Sequence, residues 1–333
     1  MSKVAVLGSG GWGLALSMMA YKCGHDVTVW SLFPEEIAAL EREREHKKLL
    51  PGVKLPEGIV FTSRLEDIAG AQLVVLAVPS TAVRNAAKLA GPFISHGAVV
   101  INVAKGLEAG TNKRLSEVVA EELGPVRLVQ LSGPSHAEEV ARGLPTACVA
   151  ASTDRDAAEL VQDSFMNPMF RLYTSSDLLG VELGGALKNV IALAAGISDG
   201  MGYGDNTKAA LMTRGITEIA RLGTKLGGLR ETFGGLSGIG DLIVTCTSMH
   251  SRNRRAGILI GQGLSPEKAV EQVGTVEGYR TAPAAYELGK SAGVEMPIIN
   301  EVYSVLFEGK DCRSTMIDLM TRRKTHETEL LWL

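Results

Sequence analysis

Val4-Ala5-Val6-Leu7 runs straight into Gly8-Ser9-Gly10-Gly11-Trp12-Gly13, after which Leu14, Ala15, Leu16, Met18 and Met19 open a helical pattern. A short apolar run without alternating polar positions reads as a strand buried on both faces. The glycines then fit G-x-G-x-x-G between a strand and a helix. Gly8 permits the tight turn, Gly10 lets a pyrophosphate approach the backbone, and Gly13 lets helix and strand pack closely. The N-terminus of the new helix offers unpaired N–H groups to phosphate. A glycine cluster alone also serves as a plain turn. Its place between a strand and a helix is what favours dinucleotide binding.

Working outward, further runs rich in Val, Leu and Ile occur at Val27–Trp30, Leu73–Val78, Ala98–Val103, Arg127–Leu131 and Thr146–Ala151. Helical patterns separate them, which predicts a parallel α/β sheet of the Rossmann type. Unusual residues gather after these runs: Pro79-Ser80, Lys105-Gly106, and Ser132-Gly133-Pro134-Ser135-His136. In open α/β sheets ligands lie outside the carboxyl ends of strands, so this clustering itself points to a site.

From about Ser176 the character changes. Leu178–Ile197, Thr207–Leu226, Asn253–Gln262, Pro266–Gln272 and Ala282–Ala292 read as helices, with Asn206 and Ser265 as N-caps. The expected organisation is a dinucleotide-binding domain over residues 1–176 and an all-helical substrate and catalytic domain over 177–333. The charged tail Thr321–Leu333 is expected to fray.

Composition narrows the function classes. Hydrophobic residues at 45% and charged residues at 21% describe a globular chain. A net charge of −3 gives no general attraction to nucleic acid or anionic membranes. Cys23, Cys148, Cys246 and Cys312 are far apart with no CxxC, and the six His include no HExxH, so neither a metal nor a disulfide framework is expected. Glycines beginning at Gly8 leave no room for a signal peptide. Glu182 and Lys188 interrupt the most apolar later stretch, Val181–Ile197, so membrane insertion is not expected. A cytoplasmic protein is the expectation.

The end of the second strand normally separates NAD from NADP, through an acid for the ribose 2′-OH or an arginine for a 2′-phosphate. Here it reads Trp30-Ser31-Leu32-Phe33-Pro34, with neither; Glu35 and Glu36 come later and are expected to cap the next helix. NAD(H) or NADP(H) both stay open.

Three elements of the second half carry chemistry. Gly184-Gly185-Ala186-Leu187-Lys188-Asn189-Val190-Ile191-Ala192 sets one Lys in a small, apolar helix. Lys is rarely buried without a partner. Two helical glycines cost about 1 kcal/mol each relative to Ala, so they suggest close approach of a neighbour. Reduction of a carbonyl builds negative charge on oxygen, and a proton donor must meet it. A free Lys, near pKa ~10.4, suits neutral pH only when desolvation and a second cation bring it down; Lys105 could be that cation. The plainer alternative is a Lys that snorkels to solvent. His250-Ser251-Arg252-Asn253-Arg254-Arg255 is the dense basic cluster and suits a phosphate, since Arg forks match its oxygens and a helix N-terminus adds donors. A solvated helix face is the alternative, and without interleaved aromatics nucleic acid is not expected. Asp241, ending the turn Gly234–Gly240, could orient Lys188, bind a substrate hydroxyl or simply cap a helix.

These residues closely resemble one family. Gly185–Ala192, continuing through Gly196-Ile197-Ser198-Asp199-Gly200 to Gly204-Asp205-Asn206, is similar to the signature of NAD(P)-dependent glycerol-3-phosphate dehydrogenases. Asn102–Glu108, Ser132–Ser135, Gly240-Asp241-Leu242, Ser251–Arg255 and Val276-Glu277-Gly278-Tyr279 match the bacterial branch, in order and over nearly the whole chain. The resemblance implies reduction of dihydroxyacetone phosphate to sn-glycerol 3-phosphate for phospholipid synthesis, by a homodimer. It implies Lys188 as the catalytic acid/base, with Asp241 and Lys105 beside the reacting carbonyl. It further implies Gly133, Ser135, Ser251, Arg252 and Asn253 around the substrate, and Gly11, Trp12, Lys105, Ala137, Arg252 and Glu277 against the cofactor. Two positions depart from the pattern. Ser31-Leu32 stand where a basic residue is often found, and His136 where Phe is commoner; His136 is read as tolerated.

Two other readings compete. A 3-hydroxyacid dehydrogenase of similar architecture would use Arg252 on a carboxylate, and a panel of keto acids against phosphorylated ketones separates it. A non-catalytic cofactor-binding sensor would have no need of a proton donor, so Lys188, Lys105 and Asp241 weigh against it.

Overall fold

The computed structural model describes residues 1–324, 326 and 327. Among these, eight strands form one sheet: β1 (Lys3–Leu7), β2 (Asp26–Trp30), β3 (Val60–Thr62), β4 (Leu73–Leu76), β5 (Val99–Asn102), β6 (Arg127–Ser132), β7 (Thr146–Ala151) and β8 (Phe170–Ser175). Their order across the sheet is β3-β2-β1-β4-β5-β6-β7-β8. The chain leaves β1 toward β2 and β3, then returns to place β4 on the other side of β1. That reversal opens a crevice beyond the carboxyl ends of β1 and β4. β1 is buried on both faces, as its uninterrupted apolar run requires. Val4 and Val6 pack with Leu14, Ala15 and Val29, while Ala5 and Leu7 pack on the opposite face with Trp30, Val74 and Val100.

Three features of the sheet differ from the sequence reading. β7 runs antiparallel to β6, although the other neighbouring pairs are parallel; an apolar run does not encode direction. β3 is only three residues long, too short to show a pattern. In β8, Phe170 and Leu172 are buried while Arg171 and Tyr173 face outward, so this edge strand alternates instead of forming an apolar block.

Helices α1 (Gly11–Lys22), α2 (Pro34–Glu43), α3 (Val83–Ala90), α4 (Leu115–Leu123), α5 (Ala137–Ala141) and α6 (Arg155–Phe165) accompany the sheet. After Ser175 the chain is helical among the described residues: α7 (Leu178–Gly200), α8 (Asp205–Lys225), α9 (Arg230–Phe233), α10 (Asp241–Thr247), α11 (Arg252–Gly261), α12 (Pro266–Val273), α13 (Glu277–Ala292), α14 (Pro297–Phe307) and α15 (Cys312–Thr321). Ser265 caps α12 by accepting from the Lys268 amide. Asn206 does not cap α8; Gly204 occupies that place, and Asn206 lies inside the first turn. α13 starts at Glu277, ahead of the expected Ala282, and carries Pro283 within it. The expected frayed tail falls partly outside the described residues, and Thr321 itself closes α15.

α7 is the axis of the helical half. It is long and apolar enough to cross a membrane by length and composition, yet 89% of its most apolar window is buried inside the fold. α11 lies against it backbone to backbone: a Cβ on Gly257 would collide with the Leu193 carbonyl, and one on Gly196 with that of Arg254. This close approach fixes where the N-terminus of α11, with its basic residues, emerges. Lys188 lies midway along α7.

Candidate active site

A cleft of about 500 Å³ lies where the carboxyl ends of β1, β4 and β5 meet α7, α10 and α11. A larger hollow of about 940 Å³ elsewhere in the helical half is lined by Arg221, Lys225 and Arg230 with apolar neighbours, remote from the glycine turn. The smaller cleft gathers most of the residues the sequence singles out. Gly10, Gly11, Trp12, Lys105, Ser135, Ala137, Lys188, Asp241, Ser251, Arg252, Asn253 and Glu277 all line it. Gly8, Gly13 and Gly133 do not.

Those three glycines act from behind the surface. A Cβ on Gly8 would strike the Ala77 carbonyl, and one on Gly13 the Gly8 carbonyl. Gly133 sits at φ +135° and presents its carbonyl to Lys105. Gly10, by contrast, has nothing within 4 Å of where a Cβ would sit. It is the N-cap of α1, whose first turn carries no acid and no side-chain cap. Open space over the N–H groups of an uncapped helix fits the pyrophosphate of a dinucleotide.

At the other wall stand two lysines and one carboxylate. Lys188 is 5% exposed, and its Nζ lies 2.9 Å from Asp241 Oδ1 and donates to Thr245 Oγ1 at 2.7 Å. Lys105 Nζ reaches Asp241 Oδ2 at 2.7 Å and also donates to the Gly133 carbonyl at 2.7 Å. Asp241 is not a capping residue: it is the first residue of α10, its side chain spans the two ammonium groups, and it is 2% exposed. Close packing explains the two glycines before Lys188: Gly184 lies against the Ser237 carbonyl in the turn before α10, and Gly185 against β6. A Cβ on Gly185 would come within 2.8 Å of Ser132 Oγ and 3.6 Å of Lys105 Cγ. A side chain there would displace Ser132 Oγ and crowd the stem of Lys105.

This geometry sets the proton affinities. Burial lowers the Lys188 pKa below the ordinary lysine value and Lys105 adds to the fall, while Asp241 opposes it. Burial disfavours charge on Asp241, but the two ammonium groups, Lys105 foremost, outweigh it and hold the carboxyl below the usual aspartate range. An ammonium has three donors. Two of those on Lys188 point at Asp241 and Thr245, which leaves one for a ligand in the cleft.

The basic cluster divides. Ser251 caps α11 by accepting from the Arg254 amide, and Arg252 opens the helix at the cleft with Arg255. Asn253 is locked within the fold, donating to Asn189 Oδ1 at 2.9 Å and accepting from the Gly278 amide at 2.7 Å. Arg254 turns away to Asp199, at 2.8 Å, and to the Thr247 carbonyl. It does not line the cleft. Glu277 accepts from Ser80 Oγ at 2.5 Å and from the Ser80 amide, which ties α13 to the loop after β4.

Sequence reading missed Thr245, although Asp241 and Thr245 are four apart and share one face of α10. It missed Asn189, which joins α7 to the Lys105 carbonyl at 3.0 Å and to Asn253. Glu36 was assigned to capping, yet its carboxylate turns back to Ser9 and Ser31. His136 lines the cleft with an unpartnered Nε2, its ring 5.7 Å from that of His250. Among the described residues no group of three or more His, Cys, Asp or Glu could hold a metal ion.

Residues 3–158 match the family model described as NAD-dependent glycerol-3-phosphate dehydrogenase N-terminus, and residues 177–317 match the C-terminus model of the same family. A protein of Moorella thermoacetica named glycerol-3-phosphate dehydrogenase, NAD(P)+, is 57% identical over 98% of each chain. One of the same name from Desulfitobacterium hafniense is 51% identical over 99% of this chain and 94% of its own. The solved structure of glycerol-3-phosphate dehydrogenase from Coxiella burnetii superposes with a TM-score of 0.92 at 36% identity, covering 96% of this chain and 99% of that one. With both halves matched and near full-length relatives above half identity, the chain belongs to the NAD-dependent glycerol-3-phosphate dehydrogenase family.

Proposed function

We propose that Lys188 moves the proton in the family reaction, the NAD(P)H-dependent interconversion of dihydroxyacetone phosphate and sn-glycerol 3-phosphate. The observation that carries this is a buried ammonium with one uncommitted hydrogen, facing the same cleft as the open glycine turn. The nicotinamide cofactor, when bound, supplies or accepts the hydride. Gly10, Gly11, Trp12 and Ala137 would hold it on one wall, with Lys105, Arg252 and Glu277 reaching it from the other.

In the reducing direction, electron density reaches the ketone oxygen as the C–H bond forms. Lys188 gives its free proton to that oxygen and is left as a neutral amine. Its lowered proton affinity makes it a stronger acid than an ordinary lysine. Asp241 aligns the ammonium, and Lys105 keeps positive potential on the site after the proton has gone. Thr245, next to the carboxylate on the same helix, accepts a second hydrogen bond from the amine and helps fix its direction. Arg252 and the N-terminus of α11 suit the substrate phosphate, with Gly133, Ser135, Ser251 and Asn253 shaping the pocket around it. The product is the backbone unit for phospholipids.

Within this reading the protein is a cytoplasmic homodimer that does not insert into membranes. Burial of the apolar face of α7 supports the last point, and family resemblance supports the dimer. Purified protein should oxidise NADH or NADPH only when dihydroxyacetone phosphate is added. Lys188→Ala should nearly abolish turnover and leave cofactor affinity close to normal. Wild-type turnover by that variant would remove Lys188 from the role.

A further inference from the structure

We infer that Glu36 recognises the adenosine ribose 2′-hydroxyl of the cofactor and makes this enzyme selective for NADH over NADPH. The inference rests on dinucleotide binding at the glycine turn, as read above. The strand end that normally carries the acid is Ser31-Leu32, but the carboxylate arrives by another path. Glu36, in the first turn of α2, folds back so that its Oε2 accepts from Ser9 Oγ at 2.5 Å and from Ser31 Oγ at 2.8 Å. Ser9 is the second residue of the glycine turn, and Ser31 immediately follows β2. The two are tied together by the Gly8 amide, which donates to the Trp30 carbonyl at 2.8 Å. The carboxylate therefore sits at the joint between the first loop and the end of β2, one residue from the open Gly10. That joint is where dinucleotide folds place the ribose.

The carboxylate is built to stay charged and to accept one more hydrogen bond. His46, Ser9 and Ser31 pull its pKa down to about 2 against partial burial. Of about four lone-pair positions, the two serines use two and His46 Nε2, at 3.3 Å from Oε1, uses a third. The side chain keeps 30% exposure. A 2′-hydroxyl can donate into the remaining position, whereas a 2′-phosphate has no proton to give and would meet a fixed negative charge.

Several neighbouring cations are committed elsewhere, although Arg64, just past β3, is largely exposed and reaches Asp67 only at 3.8 Å. Arg44 donates to the Ile59 carbonyl and lies over the Phe61 ring, Lys47 pairs with Glu43, and Lys54 pairs with Glu45. Lys48 lines the cleft, but its neighbour Leu49 packs beside Gly11, which places that segment by the pyrophosphate rather than the ribose.

The test is fluorescence titration of the purified protein with NADH, NADPH and 2′-deoxy-NADH, without substrate, so that it reads binding even if turnover fails. Wild type should bind NADH at least about tenfold more tightly than either of the others. Glu36→Gln, which removes the charge but keeps an accepting oxygen, should tighten NADPH and shrink mainly that gap, and Glu36→Ala should shrink both gaps with some loss for NADH. Should the variants misfold, the three wild-type affinities decide alone. NADPH binding as tightly as NADH, or gaps unmoved in both folded variants, would overturn the assignment.

Discussion

Replacing Asp241 with Asn tests the core of the proton chemistry. The substitution removes one negative charge whose oxygens lie 2.7 and 2.9 Å from two ammonium nitrogens. At an effective dielectric of about 20, a unit pair at that separation is worth roughly 6 kcal/mol. Relaxation and entering water return part of this, so it is a ceiling. Attraction to Asp241 is what opposes the fall in Lys188 proton affinity, so its loss lowers that affinity further. Ketone reduction needs Lys188 protonated; its rate is present below the Lys188 pKa and lost above it. The basic limb of kcat against pH must therefore move to lower pH in the variant, and the acid limb of alcohol oxidation must move the same way. At mildly alkaline pH the loss of reducing rate should be about two orders of magnitude, the lower range for a disabled general acid. The assay follows nicotinamide absorbance with dihydroxyacetone phosphate across roughly pH 6 to 10, which brackets the ordinary lysine value. Circular dichroism must accompany it, because stripping one partner from a buried pair costs about 3–5 kcal/mol. A folded variant whose limbs stay at the wild-type pH would refute the coupling of Asp241 to Lys188.

Arg252→Ala should raise KM for dihydroxyacetone phosphate about tenfold or more with a smaller effect on kcat, since the proposed phosphate contact would be lost; an unchanged KM would place the phosphate elsewhere. Glu218, buried and accepting from the Ile298 and Ile299 amides at the start of α14, has its pKa raised by burial from 4.5 to about 7, with those amides and Arg221 opposing. The folded state thus holds a proton the unfolded state gives up, so this contribution is full below pH 4.5 and is lost as pH rises through about 7. It amounts to at most roughly 3 kcal/mol. Glu218→Gln should flatten the fall of Tm over that window, and a parallel pH dependence in the two proteins would contradict it.

What could be read from the chain alone was whatever each segment states about its own burial. The apolar-rich runs of β1, β2, β4 and β5 and the glycine turn after β1 are local patterns, and they sufficed for a dinucleotide-binding sheet. Lys188 stood out because an ionisable group in an apolar helix contradicts its surroundings. The direction of β7, the edge strands β3 and β8, and the turning of Arg254 toward Asp199 were not legible in the same way. They depend on what lies alongside after folding.

The sequence by itself determined the Rossmann-type sheet, the helical half and the residue types available for proton transfer and phosphate binding. Only the tertiary structure decided their partners. It brought Asp241 between Lys105 and Lys188, residues 136 and 53 positions away, and folded Glu36 back onto Ser9 across 27. Periodicity records which face of an element is buried, whereas an ion pair or a shared carboxylate depends on the distance between elements. That distance is set by packing at places such as Gly196 and Gly257, where the lack of a side chain lets two backbones meet.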